Sequence, residues 1–221
     1  MNIAIIGVGH IGTNLARQFA SKGHHVTLAF SRDEQRLHAL AEQLGPRVQV
    51  ASPAAAASQA EVIILAVSWT LIDLALSQMG EMHGKIVIDA TNPFSQGPVD
   101  LGGMTSLAYN QRRLPGAKVA KAFNTLTAGF QAEVAAGEHR PIAMFYSAPD
   151  ASADRVCREL ISTMGFVPVA LEEPAEALME APRRDGAVYG EGYSPSNAET
   201  IAQTARQDLA QAARLASTLK Q

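Results

Sequence analysis

The residues with the most definite chemistry stand near the start of the chain. Gly7-Val8-Gly9-His10-Ile11-Gly12 is a G-x-G-x-x-G run between an apolar segment, Asn2 to Ile6, and a segment of helical periodicity carried by Ile11, Leu15 and Phe19. A glycine run between a strand and a helix suits the pyrophosphate of a dinucleotide. Its first glycine permits a tight turn, the second lets phosphate approach the backbone, and the third lets helix and strand pack closely. The helix then offers free N–H groups and a partial positive charge to the anion. Gly7, Val8, Gly9, His10, Ile11 and Gly12 are therefore expected to hold the phosphates, against the plainer reading of a turn with no ligand.

About 20 residues further on, an enzyme that uses NAD carries Asp or Glu for the ribose 2′-hydroxyl. Here the second strand runs out through Leu28-Ala29-Phe30 into Ser31-Arg32, with Arg36 one helical turn beyond. A hydroxyl and a guanidinium suit a 2′-phosphate, the first as a hydrogen-bond donor and the second as a charged, planar partner. Ser31, Arg32 and Arg36 thus point to NADP(H). Two readings stand beside this one. Ser31 could cap the next helix with both arginines solvated, or Asp33 or Glu34 could serve a ribose.

Three later segments lie where strands are expected to end: Ala66-Val67-Ser68-Trp69, Asp89-Ala90-Thr91-Asn92-Pro93 and Lys121-Ala122-Phe123-Asn124-Thr125. Together with Ser31-Arg32 they make the chain resemble the NADPH-dependent coenzyme F420 reductase family over residues 1–170. The resemblance implies hydride passage between NADP(H) and a 5-deazaflavin, coenzyme F420 or another flavin being the second substrate. Ala66, Val67 and Ser68 would then border the cofactor ribose and nicotinamide. Thr91, Asn92 and Pro93 would shape the nicotinamide side, and Ala122 and Asn124 would face the acceptor. Ligands of open parallel sheets sit at the carboxyl ends of the strands, so the bottom-up reading agrees on location. Asn124 and Lys121 are the candidate catalytic residues. The plain alternatives are a turn for Asn92-Pro93, a strand-edge charge for Lys121 and a packing aromatic for Trp69.

Hydride transfer between ring systems asks mainly for positioning and exclusion of water. That fits a chain with no Ser/His/Asp or paired-carboxylate constellation. A second reading keeps an NADP(H) enzyme but gives it a small ketone, imine or acid as substrate, with Lys121, Tyr109, Tyr189 or Tyr193 as proton donor. A third is a sensing module that binds NADP(H) without turnover. Beyond Leu171 the family pattern fades. Met179-Glu180-Ala181-Pro182-Arg183-Arg184 and Gly190-Glu191-Gly192-Tyr193 read as a linker, with closure over an anionic acceptor as the alternative.

The elements that must position these residues alternate. Strands are expected over 2–6, 26–30, 47–50, 61–67, 85–89, 118–123, 141–147 and 166–170, and helices over 11–22, 33–44, 53–59, 71–79, 105–114, 125–133, 150–164 and 196–219. This is an α/β pattern: a Rossmann-type, doubly wound, mostly parallel sheet with a C-terminal helical tail. Residues 1–171 form the NADP-binding domain with extra strands, and 172–221 a loop and C-terminal helix, a dimer arm or lid. Ser196 is a possible N-cap. The tail's apolar stripe, Ile201, Ala205, Leu209, Ala212 and Leu215, is too thin to fold alone. It must pack on the main domain or on a second copy, so a homodimer is expected.

Composition excludes several classes. Charged residues make up 18% with a formal net charge of −3, which argues against nucleic acid and anionic membrane partners. No apolar run is long enough to span a bilayer, and Met1-Asn2 leads into a strand without the layout of a secretory signal. Cys157, the single cysteine, falls on an apolar helical face and reads as a small core residue. His24, His25, His38, His83 and His139 read as surface or turn residues, and no metal site is expected. Cytosolic residence follows as an expectation.

Overall fold

The computed structural model describes residues 1–180 and 186–220. Along the first half run β1 (Asn2–Ile6), α1 (His10–Ser21), β2 (His25–Ala29), α2 (Glu34–Leu44), β3 (Val48–Val50), α3 (Pro53–Gln59), β4 (Val62–Leu65), α4 (Ile72–Met79) and β5 (Ile86–Asp89). Then follow α5 (Ser106–Arg113), β6 (Lys118–Lys121), α6 (Ala128–Ala135), β7 (Ala143–Tyr146), α7 (Ala151–Thr163), β8 (Val167–Ala170), α8 (Pro195–Ala205) and α9 (Leu209–Leu219). Side chains at the N-cap start most of the helices: Asp33, Ser52, Thr105, Thr127, Asp150, Ser194 and Asp208 each accept a backbone N–H of the first turn.

Six strands form one parallel sheet in the order β3-β2-β1-β4-β5-β6. This is the doubly wound arrangement expected, and its order reverses between β1 and β4. Alternate residues of each strand feed opposite cores. Ile3, Ile5, Val62, Ile64 and Ile88 pack with Leu15, Phe19, Leu160 and Ile161 on one face. Ala4, Ile6, Ile63, Leu65 and Val87 pack with Ile72, Met79 and Leu107 on the other. Cys157 is fully buried in the first core, and burial pushes its thiol pKa up, away from reactivity. No helix among the described residues is long and apolar enough to cross a membrane.

The shorter sheet, β7 beside β8, hangs from β6 by a single antiparallel bridge between Lys121 and Ser147. β6 therefore ends at Lys121 rather than running to Phe123. Phe123 adopts φ +63, which breaks the extended backbone. His24 is buried rather than a surface residue: it contacts the N-terminal ammonium at 3.2 Å and the edge of Phe19. Burial, then the neighbouring ammonium, holds its imidazole pKa below the ordinary value.

The tail departs from the expected linker and single helix. Ala175–Met179 forms a short 3-10 turn, and two helices, α8 and α9, meet at Arg206–Asp208. Ser194, not Ser196, caps the first, and Asp208 caps the second. One straight helix of that length would reach about 36 Å, well past strands of four residues that span roughly 13 Å. Folded back as a hairpin, α8 covers β7 and β8 and α9 packs against α8 at the edge of the same core. Phe145, Val169, Leu178, Tyr193, Ile201, Ala212 and Ala216 form that third core. Tyr193 lies edge-on to Phe145 and donates its hydroxyl to the Ala216 carbonyl at 3.1 Å, and burial raises its pKa to about 12. Of the apolar stripe, Ile201, Ala205 and Ala212 are buried within the chain, while Leu209 and Leu215 remain partly exposed.

Ile201 has no exposed surface in this core. Ile201→Ala is expected to cost about 2–4 kcal/mol by lost burial and residual cavity, measured by urea denaturation. An unchanged midpoint would mean that the tail is not integral to the fold.

Candidate functional site

The turn after β1 is built by contact rather than by flexibility alone. Gly7 has φ +101, and a Cβ there would stand 2.7 Å from the Ala66 carbonyl oxygen. A Cβ on Gly12 would stand 2.0 Å from the Gly7 carbonyl oxygen, so α1 can start this close to the sheet only with glycine. Gly9 is different: a Cβ there meets nothing within 4 Å. It faces open space at the head of α1. That helix has no side-chain cap and no acidic residue in its first turn. Its leading N–H groups and dipole are left for an anion.

Open space continues into a cleft of about 310 Å³ lined by Gly7, Val8, Gly9, Phe30, Ser31, Arg32, Asp33, Arg36, Ala66, Val67, Ser68 and Leu71. Phe30 leaves β2 with φ +64 and turns Ser31 and Arg32 toward the cleft. Ser31 does not cap α2. Its Oγ accepts the Asp33 N–H at 3.1 Å, which leaves its own proton free to be donated. Asp33 is the cap, accepting the Arg36 N–H at 3.2 Å, so its carboxylate is already engaged at the helix end. Arg32 and Arg36 are exposed and take part in no ion pair among the described residues. A neighbouring lobe of about 540 Å³ shares Phe30, Ser31, Arg32 and Leu71. Leu37, Val50, Pro53 and Leu74 add apolar walls there, a setting for a flat heteroaromatic base.

At the ends of β5 and β6 a buried polar network takes over. Lys121 Nζ donates to Asp89 Oδ2 at 3.0 Å and to the Thr91 carbonyl at 2.8 Å. Asp89 also accepts the Thr91 N–H and the Asn110 side chain, each at 2.8 Å. Asn110 Oδ1 in turn accepts from Arg113, whose guanidinium packs on the Trp69 and Tyr109 rings and pairs with Asp73. Asn92 and Asn124 exchange side-chain bonds: Asn92 Nδ2 donates to the Asn124 carbonyl at 2.9 Å, and Asn124 Nδ2 to Asn92 Oδ1 at 3.1 Å.

The segment read as a linker docks here. Asn124 Nδ2 also donates to the Met179 carbonyl at 2.8 Å, and the Gly190 N–H donates to the Thr125 carbonyl at 2.7 Å. Glu180 accepts the Ser106 N–H at 2.7 Å, and Glu176 accepts the Thr105 hydroxyl at 3.0 Å, both at the start of α5. A carboxylate is favourable at a helix N-terminus. Arg183 and Arg184 lie outside the described residues.

Of the nominated residues, the cleft gathers Gly7, Val8, Gly9, Ser31, Arg32, Arg36, Ala66, Val67 and Ser68. Gly12 packs beneath the turn, while His10 and Ile11 open α1. Thr91, Asn92, Pro93, Lys121 and Asn124 meet at the second location, and Ala122 turns its methyl into the first core with no exposed surface. Lys121 also has no exposed surface and two fixed acceptors, so it is no free proton donor. The sequence reading quoted Phe30, Asp89 and Glu180 within their segments but gave them no role, and it did not single out Asn110 or Glu176. A signal existed for Asp89: opposite charges, Asp89 and Lys121, close two successive strands, Ile-Val-Ile-Asp and Lys-Val-Ala-Lys.

Known proteins share this architecture. The family model described as NADP oxidoreductase coenzyme F420-dependent matches residues 2–93. A hypothetical protein of Sinorhizobium meliloti superposes with a TM-score of 0.78 at 33% identity, covering 88% of this chain and 95% of its own. A candidate F420-dependent NADP reductase of Arthrobacter sp. FB24 superposes with a TM-score of 0.66 at 30% identity, covering 80% of this chain and 87% of its own. The rat metalloreductase STEAP3 is 27% identical over 176 residues, which are 79% of this chain and 34% of that protein. The chain thus spans about a third of the length of this curated relative.

Burial raises the Glu176 carboxyl pKa above its ordinary 4.5. The folded state then holds this proton more tightly than the unfolded one. The group's stabilising contribution is full below pH 4.5 and is lost as pH rises through the folded pKa. Glu176→Gln keeps an acceptor for Thr105 without the buried charge. It is expected to stabilise the protein at pH 8, with the difference closing toward pH 4.5. Thermal melts of both proteins across this range check it. A difference independent of pH would show that Glu176 is not the titrating group.

Proposed function

Because the chain belongs to the family of coenzyme F420-dependent NADP oxidoreductases, we propose that it binds NADP(H) along the carboxyl edge of its sheet and passes hydride between the nicotinamide and a deazaflavin or other flavin-like acceptor. One observation carries this reading: the open face of Gly9 under an uncapped helix shares a single cleft with Ser31, Arg32 and Arg36. The leading N–H groups of α1 hold the pyrophosphate. Ser31 donates to the 2′-phosphate, Arg32 pairs with it, and Arg36 adds a second positive charge. Leu37, Val50 and Leu74 give the adenine apolar walls. Ala66, Val67 and Ser68 flank the ribose next to the nicotinamide, and Thr91, Asn92 and Pro93 border the ring.

When bound, NADPH supplies a hydride to the acceptor ring. The chain's own part is to orient and to exclude water. Asn124, held by Asn92 and Met179, forms a fixed wall on the acceptor side. Two of the nominated proton donors are committed elsewhere. Lys121 is bound to Asp89 and Thr91, and Tyr193 to the third core. Tyr109 packs against Trp69 and Arg113. A hydride acceptor that needs no acid from the protein suits this setting better than a ketone or imine does.

Arg32→Ala is expected to weaken NADPH binding about 10- to 100-fold, as loss of a charge-assisted phosphate contact implies, while NADH binding changes little. Fluorescence titration with both nucleotides checks this, and equal losses would remove the 2′-phosphate role. Stopped-flow oxidation of bound NADPH against coenzyme F420, FMN, FAD and simple carbonyls tests the acceptor. Fast oxidation by the deazaflavin is the expected outcome, and oxidation by carbonyls alone would reverse the assignment.

A further inference from the structure

Asp89 is buried against a cation, but two other buried carboxylates are not. Glu176 and Glu180 are 2% and 3% exposed, and neither joins an ion pair among the described residues. They land on adjacent residues at the head of α5. Glu176 Oε1 accepts the Thr105 hydroxyl at 3.0 Å, and Glu180 Oε1 accepts the Ser106 N–H at 2.7 Å. The second oxygen of each, Oε2, is buried without a partner among the described residues, and so is Ser106 Oγ. The dipole of α5 offers about half a positive charge, too little for two carboxylates shut away from water. A buried carboxyl so placed takes up a proton rather than keep its charge.

The surroundings push the same way. Burial raises the Glu176 carboxyl, and the negative charges of Glu173 and Glu180 add to it. Glu172 is taken by Arg206 at 3.4 Å. The cations of α5, Arg112 and Arg113, stand in its last turn, at the far end from Thr105. β7 contributes Ala143 and Phe145 to the third core, and α8 and α9 contribute Ile201, Ala212 and Ala216, all apolar. Ala175, Leu178 and Met179 bury their side chains in that core. Residues 175–180 are thus held on one side by apolar packing and on the other by two acids. The Met179 carbonyl, between those acids in the chain, accepts Asn124 Nδ2 at 2.8 Å.

We infer that Glu176 and Glu180 form a proton-operated latch, which holds residues 175–180 on the head of α5 and the Met179 carbonyl on Asn124. When both acids ionise, their protons pass to solvent and two buried negative charges face each other without a cation. The contact with α5 then loosens, while the apolar side chains keep the segment in the third core. The raised Glu176 carboxyl gives the sign: the hold is full below pH 4.5 and is lost as pH rises through the folded pKa. On the reading that Asn124 walls the acceptor side, the latch sets how firmly that wall is held. Only this last consequence rests on the proposed function.

Amide hydrogen exchange of the full chain, followed by NMR from about pH 5 to pH 8 and divided by the intrinsic rate at each pH, tests the latch. The Ser106 N–H, whose acceptor is Glu180, reports the contact with α5. The Ala66 N–H, which donates to the Ile6 carbonyl at 2.9 Å, reports the parallel sheet. Opening at Ser106 is expected to rise at least about threefold over this range, within the tenfold per pH unit that one proton permits, while Ala66 changes little. Glu176→Gln and Glu180→Gln are close in size to the native residues and keep an acceptor for α5. The first is expected to remove most of the rise, and the second to reduce it by relieving the repulsion. Opening that does not change with pH overturns the inference. So does an equal rise at Ser106 and Ala66, which is global loss of stability rather than release of a latch. A rise that survives Glu176→Gln overturns it as well, and one that Glu180→Gln leaves untouched overturns the pairing of the two acids.

Discussion

The dinucleotide edge depends on how closely one helix approaches the turn before it. The Gly7 carbonyl occupies the space a Gly12 side chain would need, at 2.0 Å from its Cβ. Any other residue there would push α1 away from β1 and take its N–H groups out of reach of the strand ends. With glycine, the helix head opens between β1 and β4, where the strand order reverses and a crevice follows from topology. α1 is left without the side-chain cap that seven other helices have. An uncapped helix end is costly in isolation. Its place at the mouth of a cleft gives those groups an anion to serve.

Charge is handled in two opposite ways along the same edge. Arg32 and Arg36 stand exposed with no partner ion among the described residues, where a positive charge costs little and attracts a phosphate. Asp89 and Lys121 stand where water is excluded, so each requires the other. The two arrangements flank the region read as the nucleotide site, one at its adenosine end and one at its nicotinamide end. Two phenylalanines with positive φ accompany them: Phe30 just before Ser31, and Phe123 just before Asn124. Such backbone is costly for a bulky residue, on the order of 1–3 kcal/mol. At Phe123 full burial against Phe19, with ring centroids 6.1 Å apart, offsets it. At both places the strained residue swings the next polar side chain out of the strand direction.

The tail docks at the ends of β5 and β6 from outside the parallel sheet. Its carboxylates Glu176 and Glu180 meet the head of α5, and its backbone meets Asn124 and Thr125. The α8–α9 hairpin fixes these contacts by packing the same segment on β7 and β8. The surroundings of Asn124 are therefore built by residues far apart in the chain, and their arrangement depends on whether the third core is intact.

The local features were legible in the sequence because neighbours encode them. The glycine run, the apolar strands and the hydroxyl-arginine step after β2 each depend on residues within a turn or two, and alternation of strand and helix then implies a doubly wound sheet. Tertiary structure decided the rest. Lys121 read as a strand-edge charge or a proton donor until β5 and β6 came into register and brought Asp89, 32 residues away in sequence, within 3.0 Å of it. The stretch from Glu172 to Pro195 has little periodicity to read, since its order comes from Glu176, Glu180 and Tyr193 meeting partners on distant elements. Propensity and turn chemistry are short-range properties of the chain, whereas the pairing of buried charges and the docking of a polar tail are set only when strand order fixes which distant residues become neighbours.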